Sequence, residues 1–212
     1  MDTSQLVVVG AGGFGQEVVS WAEHAHQAGT APPIRGYLLD HGYPRMDAAF
    51  GLSWLGELDE YTPNPGDACL LAVSDVAVKR RMVERLKARG ASFHTLIHPT
   101  AVIARTAIIG EGCVICPLAT LSASVVFGDF ITLNSYSGIG HRSQVGSYTT
   151  LSAHVDITGD VTVGESAFFG SGARVLPGLN VGKDAKVGAG AVVMRSVPAG
   201  ATVYTSPARR LC

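Results

Sequence analysis

The sequence predicts a small α/β domain of βαβ, Rossmann-like type followed by a parallel β-helix of hexapeptide repeats. Three observations carry this. Large apolar residues recur at every sixth position through most of the second half, whereas the first ~95 residues alternate strand and helix signals. Glycine makes up 26 of 212 residues and charged residues only 16%, a balance that suits many tight, regular turns rather than disorder. The length allows one or two domains with a sizeable core.

The N-terminal elements follow in order. LVVVG (6–10) is a buried apolar strand, residues 16–28 read as a helix, IRGYLLD (34–40) as a second strand and DACLLAVS (67–74) as a third. VAVKRRMVERLKARG has helical spacing and stops at Gly90, and SFHTLIHP follows as another strand. This βαβ order implies a small parallel sheet covered by helices. Between the first strand and helix, GAGGFG satisfies G-x-G-x-x-G at Gly10, Gly12 and Gly15. Missing side chains there let backbone N–H groups and a helix N-terminus approach phosphate. Asp40 ends the second strand, where an acidic residue can take ribose or base hydroxyls. The region is about half of a two-fold dinucleotide domain and a β-helix supplies no hydride chemistry, so a nucleotide-sugar diphosphate is the better ligand.

After His98 the grammar changes. Every sixth residue from Ile103 through Ile109, Ile115, Leu121 and so on to Val193 is large and apolar, sixteen in a row without an insertion. Glycine follows eight of them, Gly140 and Gly146 included. Hexapeptide repeats of this kind mean a parallel β-helix with three short faces per coil, each coil burying its core against its neighbours. His141 follows Gly140, two residues after the inward Ile139, so it leaves the core at a corner. Its position fits a solvated corner histidine as well as a general base. His154, three residues after the inward Leu151, is the second candidate, with Asp156 close by. Because a coil is 18 residues, Asp160 should stack beside Arg142.

A net charge of −1 gives no basic field for nucleic acid or anionic lipid. The opening MDTSQLVVVG has no basic n-region, and its apolar run is too short for a signal peptide or membrane span. The cysteines are Cys69, Cys113, Cys116 and Cys212. CVIC looks like a CxxC pair, but no second pair completes a zinc site, and small apolar core residues are the plainer reading. A cytoplasmic protein with reduced thiols is expected.

A hexapeptide β-helix behind a small βαβ domain resembles the sugar O-/N-acetyltransferases of the sialic acid O-acetyltransferase and UDP-4-amino-sugar N-acetyltransferase type. VVVGAGGFGQEV looks like that family's Gly-rich start and AVSDVAVKRRM like its second strand-to-helix turn. LIHPTAVI resembles the lead-in to the β-helix, and VPAGATVYTSPARR its tail. The resemblance implies a left-handed β-helix, a homotrimer, acetyl-CoA as acyl donor in a groove between adjacent β-helices, and no metal. It implies a nucleotide-sugar-binding domain over 1–97 and an acyltransferase domain over 98–212. Catalysis would rest on His141 as general base and Asn134 seven residues earlier, with His154, by its position in the repeat, as the runner-up base. The nucleotide-linked amino sugar would meet Gly10, Gly12, Gly13, Phe14, Gly15, Asp40, Ser74 and Asp75. Acetyl-CoA would meet Gly170, Gly172, Ala173, Gly188, Ala189, Gly190, Pro207 and Ala208, with Lys183 and Lys186 available to its phosphates.

Three departures stand out. Arg142 occupies the place where the family usually has Asp or Glu, Thr150 the place where some members have a second histidine, and Thr205 a place that is commonly Gly. The expected reaction is acetyl transfer to the amine of a nucleotide-linked amino sugar, feeding glycan synthesis. Alternatives are O-acetylation of a sialic-acid-like sugar and an inactive nucleotide-sugar-binding relative. A zinc enzyme of the carbonic anhydrase type needs three histidines, and past His98 the repeat offers only His141 and His154.

Overall fold

The computed structural model describes residues 4–206 and residue 208. Five parallel strands form the N-terminal sheet: β1 (Gln5–Val9), β2 (Ile34–Leu39), β3 (Trp54–Glu57), β4 (Asp67–Leu71) and β5 (Ser92–Phe93), in the order β3-β2-β1-β4-β5. Helix α1 (Gly13–Gln27) covers one face and α2 (Val76–Lys87) the other. Leu6 and Val8 pack with α1, and Val7 and Val9 with α2. A strand buried on both faces reads as a continuous apolar run, which is why LVVVG was legible.

Three local differences from the sequence reading have physical causes. Helix α1 begins at Gly13, three residues early, because Gly12 caps it without a side-chain bond and the poor helix propensity of glycine hides the start. Strand β3 carries no apolar run, with Trp54 exposed and Gly56 at φ +125. SFHTLIHP is not one strand. Ser92–Phe93 pairs with β4, whereas Leu96–Ile97 (β6) pairs with Val114–Ile115 and already belongs to the β-helix.

From β6 onward, two-residue strands stack into three parallel sheets of six, five and seven strands. Face I includes Thr120–Leu121, Gly138–Ile139 and Asp156–Ile157; face II includes Val126–Phe127 and Gln144–Val145; face III includes Thr132–Leu133, Thr150–Leu151 and Phe168–Phe169. Partners lie one coil apart, as in Leu121↔Ile139 and Ile139↔Ile157. The fold is the left-handed β-helix. Its inward residues, among them Phe127, Leu133, Ile139, Ile157 and Phe169, are fully or almost fully buried in one core, each worth about 1.5–3 kcal/mol of burial.

The third residue after the inward one takes the left-handed conformation along most of the column, as at Leu118 (φ 59), Arg142 (φ 58), Asp160 (φ 59) and Asp184 (φ 57). The glycine directly after the inward residue has another task. A Cβ on Gly140 would lie 2.4 Å from the Thr158 carbonyl carbon, so the next coil requires its absence.

The two halves share core. Cys116 and Val114 pack with α1, and Phe130 with α2. Cys113 instead lies in the β-helix interior, so the CxxC cysteines belong to two different hydrophobic clusters. Burial pushes the Cys113 thiol up to about 12 and Cys116 well above its ordinary value.

Candidate functional site

The corner between faces I and II carries His141. Its ring is 56% exposed, and its Nε2 lies 3.8 Å from Asp160 Oδ2. Arg142 grips the same carboxylate with two bonds, Nε to Oδ1 at 2.6 Å and a terminal guanidinium nitrogen to Oδ2 at 2.7 Å. The 18-residue stacking of Arg142 on Asp160 is therefore as the repeat implied. These Arg142 hydrogen bonds, with the nearby His141 charge adding, hold the Asp160 carboxyl below its usual range. Under the imidazole lies Gly159, where a Cβ would come within 2.6 Å of Cε1 and Nε2. Buried Ser143 braces that coil: its hydroxyl donates to Thr158 O (2.8 Å) and accepts from Val161 N (3.0 Å).

A different corner, between faces III and I, holds the other two catalytic candidates. Asn134 accepts a bond from Ser135 N at 2.6 Å. His154 stacks on Tyr136 with centroids 4.9 Å apart and planes 5° from parallel. Among the described residues no ion pair joins His154 to Asp156, its expected partner. The same corner continues through Gly170, Gly172, Ala173, Gly188, Ala189 and Gly190. Gly172 and Gly190 have left-handed φ of 72 and 67. Gly170 is closed by the next coil, since a Cβ would meet Ala189 N at 2.6 Å. The Ala173 methyl is fully buried in the β-helix core, so this residue offers a ligand only backbone. Gly190 lines a cleft of about 600 Å³ with Tyr204 and Thr205. Ala208 is exposed; Pro207 lies outside the described residues.

The Gly-rich turn divides by role. A Cβ on Gly10 would meet Ala72 O at 2.9 Å, and one on Gly15 would meet Gly10 O at 2.7 Å. Gly10 lets the end of β1 lie against the chain leaving β4, and Gly15 lets the start of α1 lie against the end of β1. Gly12 and Gly13 face open space at the helix N-terminus, the arrangement that suits an anion. Phe14 packs edge-on against Trp21 at 6.0 Å. Asp40 is not free: Arg85 holds its Oδ1 at 2.9 Å and pairs with Asp59 as well.

Ser74 and Asp75 line a cleft of about 700 Å³ between the start of α2 and face III, with Arg80, Ser166, Phe168 and Lys186. The Asp75 carboxylate caps α2 by accepting from Val78 N (2.8 Å), and Ser74 O accepts from the Thr150 hydroxyl (2.8 Å). Thr150, at the family's second-histidine position, is thus buried under the N-terminal domain. Arg80 crosses the cleft wall to Ser166 (2.9 Å) and covers the Tyr148 ring.

Sequence reasoning missed several of these residues. Lys79 is fully buried and donates to Phe130 O (3.1 Å) and to the Thr132 and Thr150 hydroxyls (each 2.9 Å). Arg80, Ser166 and Phe168 left no local signal, because their partners come from distant coils. The 18-residue spacing that found Asp160 for Arg142 also marks Gly159 under His141, had it been applied there. Within one chain His141 is not brought together with Asn134, with the Gly-rich corner or with the cleft on face III, since the prism body separates them. Among the described residues no cluster of three His, Cys, Asp or Glu could hold a metal, and no helix is long and apolar enough to cross a membrane.

No protein-family model matches the chain. Among solved structures, the acetyltransferase domain of PglB from Neisseria gonorrhoeae FA1090 is 30% identical, with 99% of this chain and 100% of that one covered at a TM-score of 0.85. PerB from Caulobacter crescentus, solved in complex with CoA and GDP-perosamine, is 27% identical, with 98% and 97% covered at a TM-score of 0.84. A stretch of 46 residues is 46% identical to UDP-N-acetylbacillosamine N-acetyltransferase of Bacillus subtilis (strain 168); it spans 22% of this chain and only 21% of that protein.

Proposed function

The chain belongs to the left-handed β-helix sugar acetyltransferases, and on that premise we propose that it transfers the acetyl group of acetyl-CoA to the amine of a nucleotide-linked amino sugar. The observation that carries this is the coextensive match to PerB: sheet and β-helix together align with a protein holding CoA and GDP-perosamine.

His141 takes a proton from the attacking amine. The amine nitrogen bonds to the acyl carbon, the carbon–sulfur bond breaks, and the imidazolium returns the proton to the departing thiolate. Residues 1–97 hold the nucleotide, with Gly12, Gly13 and Phe14 at the start of α1 nearest the phosphates and Ser74 and Asp75 at the cleft. Gly10 and Gly15 shape that turn, and Asp40 acts through its Arg85 pair. Residues 98–212 form the acyltransferase domain, with acetyl-CoA along the corner of Gly170, Gly172, Ala173, Gly188, Ala189 and Gly190, and with Pro207 and Ala208 as further CoA-binding residues.

Because His141 sits on another corner from Asn134 and His154, a complete site needs residues from neighbouring copies, which supports a homotrimer. The three buried free thiols suit a cytoplasmic setting, and the product would feed glycan synthesis.

The test is thiol release from acetyl-CoA with UDP- and GDP-linked 4-amino sugars, beside matched sugars bearing a hydroxyl. Release should require the amine, and His141→Asn should lower kcat by about 10²–10⁴. Equal release with the hydroxyl sugars, or a fall of only about threefold, would contradict the reading.

A further inference from the structure

We propose that Asp160, carried one coil beyond His141, is the positioning carboxylate of the base, and that Gly159 is the bare shelf on which the imidazole lies. This rests on the general-base reading of His141. The residue after that histidine, Arg142, carries only donors and cannot accept from a ring N–H. The β-helix supplies a carboxylate from the next coil instead, at ion-pair distance from the ring.

The geometry is specific. Asp160 Oδ2 stands 3.8 Å from His141 Nε2, and it is the one carboxylate at ion-pair distance from that ring among the described residues. Arg142 clamps both Asp160 oxygens, at 2.6 and 2.7 Å, which fixes the carboxylate plane. A carboxylate on that side favours the tautomer with its proton on Nε2 and leaves the Nδ1 lone pair to take the acceptor's proton. Asp160 N also donates to His141 O at 2.9 Å, tying the two coils together at this residue.

Gly159 completes the seat. A Cβ there would lie 2.6 Å from Cε1 and Nε2 and 3.1 Å from Cδ2, so any side chain at 159 would push the ring off Asp160. Its φ is outside the left-handed region; space, not torsion, calls for glycine. Arg142 thus has a defined part. It holds the carboxylate in place and offsets its charge, so Asp160 steers the ring without making a strongly held ion pair.

Two readouts test this. The first is the tautomer of the neutral His141 imidazole, read by 15N NMR in the free full-length protein, which needs no substrate. Asp160→Asn should lower the share of the tautomer that carries its proton on Nε2. The second is steady-state thiol release with acetyl-CoA and the UDP- or GDP-linked 4-amino sugar turned over by the wild type. Asp160→Asn and Gly159→Ala should lower kcat about tenfold with KM unchanged, and Asp160→Glu should restore part of it. The thermal midpoint of Gly159→Ala should stay at the wild-type value, since the exposed ring can swing aside.

An unchanged tautomer ratio in Asp160→Asn overturns the inference, and so does wild-type kcat in Asp160→Asn. Wild-type kcat in His141→Asn removes the general-base reading and this inference with it. Loss in His141→Asn beside wild-type kcat in Asp160→Asn removes the inference alone.

Discussion

Lys79 offers the sharpest test of how the N-terminal domain is fastened to the β-helix. Lys79 is 1% exposed, its ammonium group is met by two carbonyls and two hydroxyls, and no ion pair joins it to a carboxylate among the described residues. Burial pulls its pKa from 10.5 down to about 7. In the unfolded chain the amine keeps its proton to about pH 10.4. Between those values the unfolded state binds more protons, so stability must rise with pH. Below about pH 6 both states are protonated and the contribution is flat.

Integrating the linkage relation from pH 6 to pH 8 with a folded pKa of about 7 gives a gain on the order of 1 kcal/mol. Urea unfolding of the wild type and Lys79→Met, at fixed protein concentration, isolates this term. Histidine and cysteine titrations are common to both proteins and cancel. Lys79→Met leaves the Phe130 carbonyl without its lysine donor, at a cost of about 1–3 kcal/mol, but that offset does not depend on pH. The wild type should gain on the order of 1 kcal/mol more than the variant between pH 6 and pH 8. Parallel stability curves would refute the argument and show that Lys79 keeps its charge inside the protein.

Other outcomes follow from the same geometry. Gly15→Ala should cost about 1–3 kcal/mol in thermal or urea unfolding, because its Cβ would meet Gly10 O at 2.7 Å. Gly13→Ala should not lower the melting temperature, since nothing lies within 4 Å of that Cβ and the residue is already helical, while raising KM for the nucleotide sugar about tenfold. Phe169→Ala, emptying a fully buried site in the β-helix core, should cost about 3–5 kcal/mol by urea midpoint. Cys69, Cys113 and Cys116 should resist a thiol reagent at pH 7 until the protein unfolds. They are buried, and the pKa of Cys69 and Cys113 is pushed up to about 12.

By itself the sequence determined the repeat, and with it the inward column from Ile103 to Val193, the 18-residue register and the Arg142–Asp160 pair. It also determined the parallel sheet of the first half, because β1 is apolar on both faces and the helices carry their own period. Such features are legible because burial against an immediate neighbour imposes a local period. Tertiary structure alone decided where the polar groups went. It gave Asp40 to Arg85, 45 residues away, and Lys79 to Thr132 and Thr150, 53 and 71 residues away. It set His141 and Asn134, seven residues apart in sequence, on different corners of the prism. It also turned the Asp160 carboxylate, which the register sets beside Arg142, to within 3.8 Å of the His141 ring. A side chain's partner depends on which elements pack together in space, and that packing is a sum over the whole core that no local window contains.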